Sequence, residues 1–214
     1  MRKGLKITIG IFTVIIFFIA FMGFCYFWYL RNSRISQADT YDGERLMYAH
    51  KTQDAINMLE KALIRDHHNI RAENRLLDLY FEQKQYRNVI DMQTSQMKDD
   101  RGDYMNFVRE KNIAKAHVEL GEIKEAKEIY ESLLTKYHDA PSLYMGLAKC
   151  YEKEGNLTEA IKQQERAIEI MKNNPKYTPK SFLKKELEKL AQWYKQTGQE
   201  DQANKLSQEI SAAN

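Results

Sequence analysis

A 34-residue register in the second half of the chain limits its fold more than any other feature. Ala148, Gly155 and Ala160 recur one register earlier as Ala114, Gly121 and Ala126. Between Pro141 and Pro175 the pattern is explicit. Leu143, Tyr144, Leu147, Ala148 and Tyr151 fall at helical spacing, Gly155 interrupts, and Leu157, Ala160, Ile161, Ala167, Ile168 and Met171 open a second apolar stripe. The spacing predicts two antiparallel helices, with Ala148, Ala160 and Ala167 where the backbones cross closely. Such a pair cannot bury both its faces alone, so one copy implies neighbours.

Further copies are present. Leu76, Leu77, Tyr80, Tyr86 and Val89 mark one from near Ile70, and Gly43, Leu46, Ala55, Leu59 and Ala62 another from near Ser36. Leu190, Ala191, Tyr194, Gly198 and Ala203 give a last one from about Lys184. Tyr130 fills an aromatic place that Gln164 leaves polar, and Asp42 stands where other copies have Leu76, Ile113, Leu147 and Leu190. The first copy is therefore expected to pack poorly or to be displaced by one turn. A small residue and a Tyr in one helix, Gly at the turn and two Ala in the next resemble tetratricopeptide repeats. The resemblance implies an all-α fold, a right-handed superhelix of four to five helix-turn-helix repeats, and binding of a protein or peptide in its groove.

From Ile7 to Leu30 there are 24 residues without a charge. As a helix they span roughly 36 Å at ~1.5 Å per residue, against a hydrocarbon core of ~30 Å. Tyr26, Phe27, Trp28 and Tyr29 suit a membrane–water interface. A cleaved signal peptide would have a shorter apolar region and a small-residue cleavage site, and Phe24 before Cys25 argues against a lipoprotein. Arg2, Lys3 and Lys6 precede the segment, whereas Arg31 and Arg34 soon meet Asp39, Asp42 and Glu44. The bias favours an inside N-terminus, with the repeats extracytoplasmic, or periplasmic in a bacterium. The expected layout is a basic tail at 1–6, a transmembrane anchor at 7–30, a juxtamembrane linker at 31–35 and a repeat domain at 36–214. Its repeats lie at about 36–69, 70–106, 107–140, 141–174 and 184–214, with Lys98 to Asp103 read as a charged loop.

The formal charge of +3 misleads. Of the 33 basic residues, five flank the apolar segment, and the 28 left face 30 acidic ones. That balance argues against nucleic acid as a partner. Three Pro and nine Gly fit an all-helical chain. No catalytic constellation is recognisable, so the chain is read as a binding protein, not an enzyme, with no cofactor and no metal. His67 and His68 beside Asp66 fall in a turn between repeats, Asn156-Leu157-Thr158 reads as a turn, and His50, His117 and His138 are scattered. An intrachain pair between Cys25 and Cys150 is not expected.

In the resemblance, the first helix of each pair lines the groove. The faces opposite the packed residues then give Arg71, Asn74 and Arg75; Lys111, Asn112 and Lys115; Met145, Lys149 and Lys153; and Lys185 and Lys189. This is a mildly basic wall suited to an acidic or extended peptide; the competing reading is a solvated helical surface. Thr40, Tyr41 and Glu44 depart from the pattern with which some family members hold chaperone C-termini, and only Asn74 and Asn112 match it in part. The remaining alternatives are a cytosol-facing receptor and a scaffold that self-assembles into a homo-oligomer.

Overall fold

A computed structural model describes residues 2–97 and 102–212. Among them every regular element is a helix: α1 (Arg2–Tyr48), α2 (Thr52–Arg65), α3 (Ile70–Glu82), α4 (Tyr86–Met97), α5 (Asp103–Leu120), α6 (Ile123–Lys136), α7 (Pro141–Lys153), α8 (Leu157–Asn173), α9 (Lys180–Gln196) and α10 (Glu200–Ala212). The chain divides into two compact units, residues 1–83 and 84–214.

In the first unit, α1 continues without a break from the apolar stretch into the repeat region, and residues 31–35 are helical. Between Val14 and Leu30 its large apolar side chains face outward, with Phe17 at 76% exposure. From Ser36 onward one face becomes buried. That face is Ser36, Asp39, Thr40, Gly43 and Glu44, spaced at i, i+3, i+4, i+7 and i+8, and none of the five is a large apolar residue. It packs on Ala55, Ile56, Leu59 and Ala62 of α2. Gly43 permits the approach, since a Cβ there would meet Leu59 Cγ at 2.9 Å.

Hydrogen bonds replace apolar contacts along this seam, because buried polar groups must be paired. Ser36 Oγ donates to the Ala62 carbonyl at 2.8 Å, and Thr40 Oγ1 to the Ser36 carbonyl at 2.7 Å. Asn69 donates from Nδ2 to both hydroxyls, at 2.8 and 2.9 Å, while its Oδ1 caps α3 by accepting from Ala72 N–H at 3.0 Å. Asp39 lies 2.8 Å from Arg65 Nε, off the hydrogen-bonding axis, and 3.5 Å from Lys61 Nζ. Asp42, by contrast, is exposed and pairs with Arg45 at 3.5 Å. The first copy thus keeps its place against α2 through a polar face.

In the second unit, neighbouring helices in sequence pack on one another from α4 to α10, and α5 also meets α7. One core gathers Ala114, Val118, Ala126, Tyr130, Leu133 and Leu143; the next gathers Ala160, Ala167, Ile168, Leu187, Leu190 and Trp193. Leu143 is fully buried, and hiding such a side chain contributes about 1.5–3 kcal/mol. Ala148, Ala160 and Ala167 are also fully buried, as close helix crossing requires. Pro141 occupies the first turn of α7, where its missing N–H costs nothing.

The turns repeat as strictly as the helices. Gly121, Gly155 and Gly198 have φ of 81°, 77° and 74°. One and two repeats before Gly121, Lys84 and His50 take the same left-handed conformation, with φ of 56° and 55°. Of the charged loop at 98–103, residues 98–101 lie outside the described residues, and α5 already begins at Asp103, ahead of the expected start at 107.

Candidate functional site

The lysines and arginines of the expected groove stand on α3, α5, α7 and α9. Helical geometry places positions three and four apart on one face, opposite the apolar residues that fix each helix in the core. On α3, Arg71 and Arg75 converge on one carboxylate. Glu44 Oε1 accepts from both Nε atoms at 2.9 Å, and its Oε2 from Arg71 Nη2 at 2.5 Å. Hydrogen bonding to Arg71, with Arg75 in support and against the effect of burial, holds Glu44 below the usual carboxylate range. Asp78 stands 4.0 Å from Arg75. Two cations thus face two anions within this unit, and Asn74 is an exposed amide beside them.

On α7 and α9 a second cluster forms. Lys149 Nζ donates to Glu152 Oε2 at 2.7 Å, and Trp193 Nε1 donates to Glu152 Oε1 at 3.3 Å. Lys189 Nζ lies 4.4 Å from the centre of the Trp193 ring, within cation–π range. Burial pushes the Lys189 ammonium below its ordinary pKa despite Glu152 and Glu186 nearby. Burial also acts on Glu152, but Lys149 and Lys189 keep it ionised more readily than a free carboxyl. Lys153 and Lys185 are exposed, and Met145 is partly buried against the core.

On α5, Lys111 is half-buried, with Nζ 5.4 Å from the Phe107 ring centre. Its pKa is lowered by burial and by a second cation, Lys115, on the next turn. No carboxylate among the described residues pairs with it. Asn112 is half-buried and Lys115 exposed. The structure therefore brings Lys149 and Lys189 together about Glu152, sets Lys111 beside Lys115, and keeps Arg71 and Arg75 on Glu44.

Glu152, Trp193 and Phe107 are members of these clusters that the repeat pattern does not single out. The signal available for two of them is local spacing, Lys149 to Glu152 at i+3 and Lys189 to Trp193 at i+4. The contact between Trp193 and Glu152 spans 41 residues and has no such signature. His68 N–H bonds Asp66 Oδ1 at 3.0 Å in a turn, and no group of three or more His, Cys, Asp and Glu among the described residues has metal-binding geometry. Cys150 is buried in the core, which pushes its thiol up to about 12 and makes it unreactive.

Residues 111–177 match the family model of the tetratricopeptide repeat. No curated protein sequence matches the chain significantly. Solved structures do. MamA from Desulfovibrio magneticus RS-1 superposes with a TM-score of 0.60 at 11% identity, over 83% of this chain and 94% of that one. The nearly identical TPR-like repeats of a Podosopora anserina protein described as a kinesin light chain give 0.62 at 18%, over 85% and 95%. YrrB, a TPR protein with an unusual peptide-binding site, gives 0.50 at 14%, over 82% and 84%. At such identities the likeness is one of fold. Register, left-handed turns and matched segment agree: residues 111–177 match the tetratricopeptide repeat, and the chain shares the fold of the tetratricopeptide-repeat structures.

Proposed function

We propose that this protein is a membrane-anchored adaptor or assembly factor that holds an acidic, extended segment of a protein partner on the α5, α7 and α9 face of its second unit. The observation that carries the reading is Lys111. It is a half-desolvated ammonium beside Phe107 with another lysine, not an acid, as its neighbour. A partner carboxylate would relieve both the desolvation and the repulsion, forming a charge-assisted hydrogen bond. Lys115, Asn112, Met145, Lys149, Lys153, Lys185 and Lys189 extend the face. Arg71, Asn74 and Arg75 form a separate and weaker surface, their charge already shared with Glu44. A peptide-binding site on the similar fold of YrrB supports a peptide as ligand.

The anchor is the apolar part of α1, which is long and apolar enough to cross a membrane. Its basic flanks support an inside N-terminus and extracytoplasmic repeats. No catalysis is assigned.

Photo-crosslinking from position 112 in native membranes tests the binding face. A discrete partner adduct is expected, and K111E/K115E should abolish it with helicity unchanged. An undiminished adduct removes the proposal, as does a concentration-independent oligomer of the full chain that shields position 112. Protease added to intact cells tests topology: cleavage within 98–103 is expected, and cleavage only after opening the inner side would place the repeats in the cytosol.

A further inference from the structure

A separate cavity of about 280 Å³ opens in the second unit where the end of α8, the connection 174–179, the start of α9 and the end of α10 meet. Its floor is apolar. Met171 and Leu187 are buried there at 2% and 4% exposure, with Leu183, Ile210 and Pro175 around them. Its rim is cationic. From Lys172 to Lys185 the chain carries five lysines and no acid. The one carboxylate lining the cavity, Glu209, is engaged by Lys172 at 2.6 Å. Lys180 and Lys184 stand at the opening.

We infer that this cavity is a docking site for one apolar side chain of an acidic linear segment in a partner protein. The volume lies just below the roughly 300–1,000 Å³ usual for small-molecule sites, which fits one side chain better than a cofactor. The excess positive charge sets the flanking residues of the occupant: Asp and Glu on either side of an apolar anchor meet Lys180 and Lys184 and speed encounter. The recessed floor favours a peptide over a lipid surface, because a flat bilayer would meet the exposed Tyr177 and Phe182 and leave Met171 and Leu187 untouched. None of the residues lining the cavity belongs to the α5, α7 and α9 lysine face, so the two sites stand or fall separately.

The test uses the full chain in nanodiscs of zwitterionic lipid and a short fluorescent peptide of Asp and Glu with one central Phe. Saturable binding is expected, with a Met171 methyl resonance shifted on titration. Replacing the peptide Phe by Ala, or making K180E/K184E, should each weaken binding about tenfold or more, whereas K111E/K115E should leave the Met171 shift in place. Equal binding of the Ala peptide, or of K180E/K184E, overturns the inference. So does Lys180-dependent flotation with anionic vesicles in the absence of peptide binding, or a Lys180-dependent rise in mass with concentration, which would assign the cavity to lipid or to a second copy.

Discussion

Gly146 of α7 lies directly against the ring of Tyr130 on α6. A Cβ at position 146 would fall under 3.0 Å from Cζ, Cε1 and Cε2 of that ring. Tyr130 is 4% exposed, so the ring has little room to yield. Helix propensity alone predicts that Gly146→Ala stabilises by up to ~1 kcal/mol. Overpacking a closed core costs about 1–3 kcal/mol, and here it should prevail. Thermal unfolding of G146A is expected to fall, and Tyr130→Leu with Gly146→Ala should be less destabilised than the two single changes added together. A raised melting temperature for G146A would show that the ring can move aside.

The left-handed turns allow a test of opposite sign. His50 and Lys84 hold φ near +55°, where a Cβ costs about 1–2 kcal/mol. Gly removes that strain but adds backbone freedom to the unfolded chain. The balance should favour His50→Gly and Lys84→Gly by roughly 0.5–1 kcal/mol each, as the recurrence of Gly at this helix-end position suggests. Gly155→Ala should lose a comparable amount. Melting temperatures of the three single variants check it, and a fall for both Gly variants would refute the turn argument.

These positions also show what the sequence made legible. Gly121, Gly155 and Gly198 announce their turns, so the copies around them read clearly. His50 and Lys84 take the same conformation without the residue that advertises it, which is why the first two copies look degenerate. The first copy is hidden twice over, because Ser36, Asp39, Thr40 and Glu44 make a buried face that hydrophobic periodicity cannot detect. The site was legible as helix faces and not as pairings. Glu44 meets Arg71 and Arg75 from 27 and 31 residues away, and no local spacing distinguishes a lysine such as Lys111 that lacks a carboxylate from Lys149 that has one.

Glu44 makes the first unit pH-sensitive. Its folded pKa lies below the unfolded value, which is about 4.3. The stabilisation it supplies is therefore complete above that value and is lost as pH falls through the folded pKa. Stability measured between pH 6 and pH 3 should decline more steeply in the wild type than in Glu44→Gln, which should already be weaker at pH 6. Parallel pH profiles for the two proteins would remove Glu44 from the account.

Asn69 decides whether the polar seam is as ordered as its distances indicate. Ser36 Oγ and Thr40 Oγ1 each commit their one proton to a backbone carbonyl, so both oxygens can only accept from Asn69. Asn69→Ala removes the α3 cap, worth ~1 kcal/mol, and leaves two buried acceptors short of a donor, for a total of roughly 2–3 kcal/mol. Asn69→Asp is the sharper test. A carboxylate keeps the capping acceptor for Ala72 N–H but has no proton to give, and its charge would face two lone pairs in a closed seam. Asn69→Asp should thus lose at least half of what Asn69→Ala loses, although Asp is as good a helix cap as Asn. Hydrogen exchange at Ala72 separates the two effects, staying protected in the Asp variant and not in the Ala variant while both melt early. An Asp variant as stable as the wild type would mean that the hydroxyls reorient freely and that α1 is held to its neighbours by shape alone.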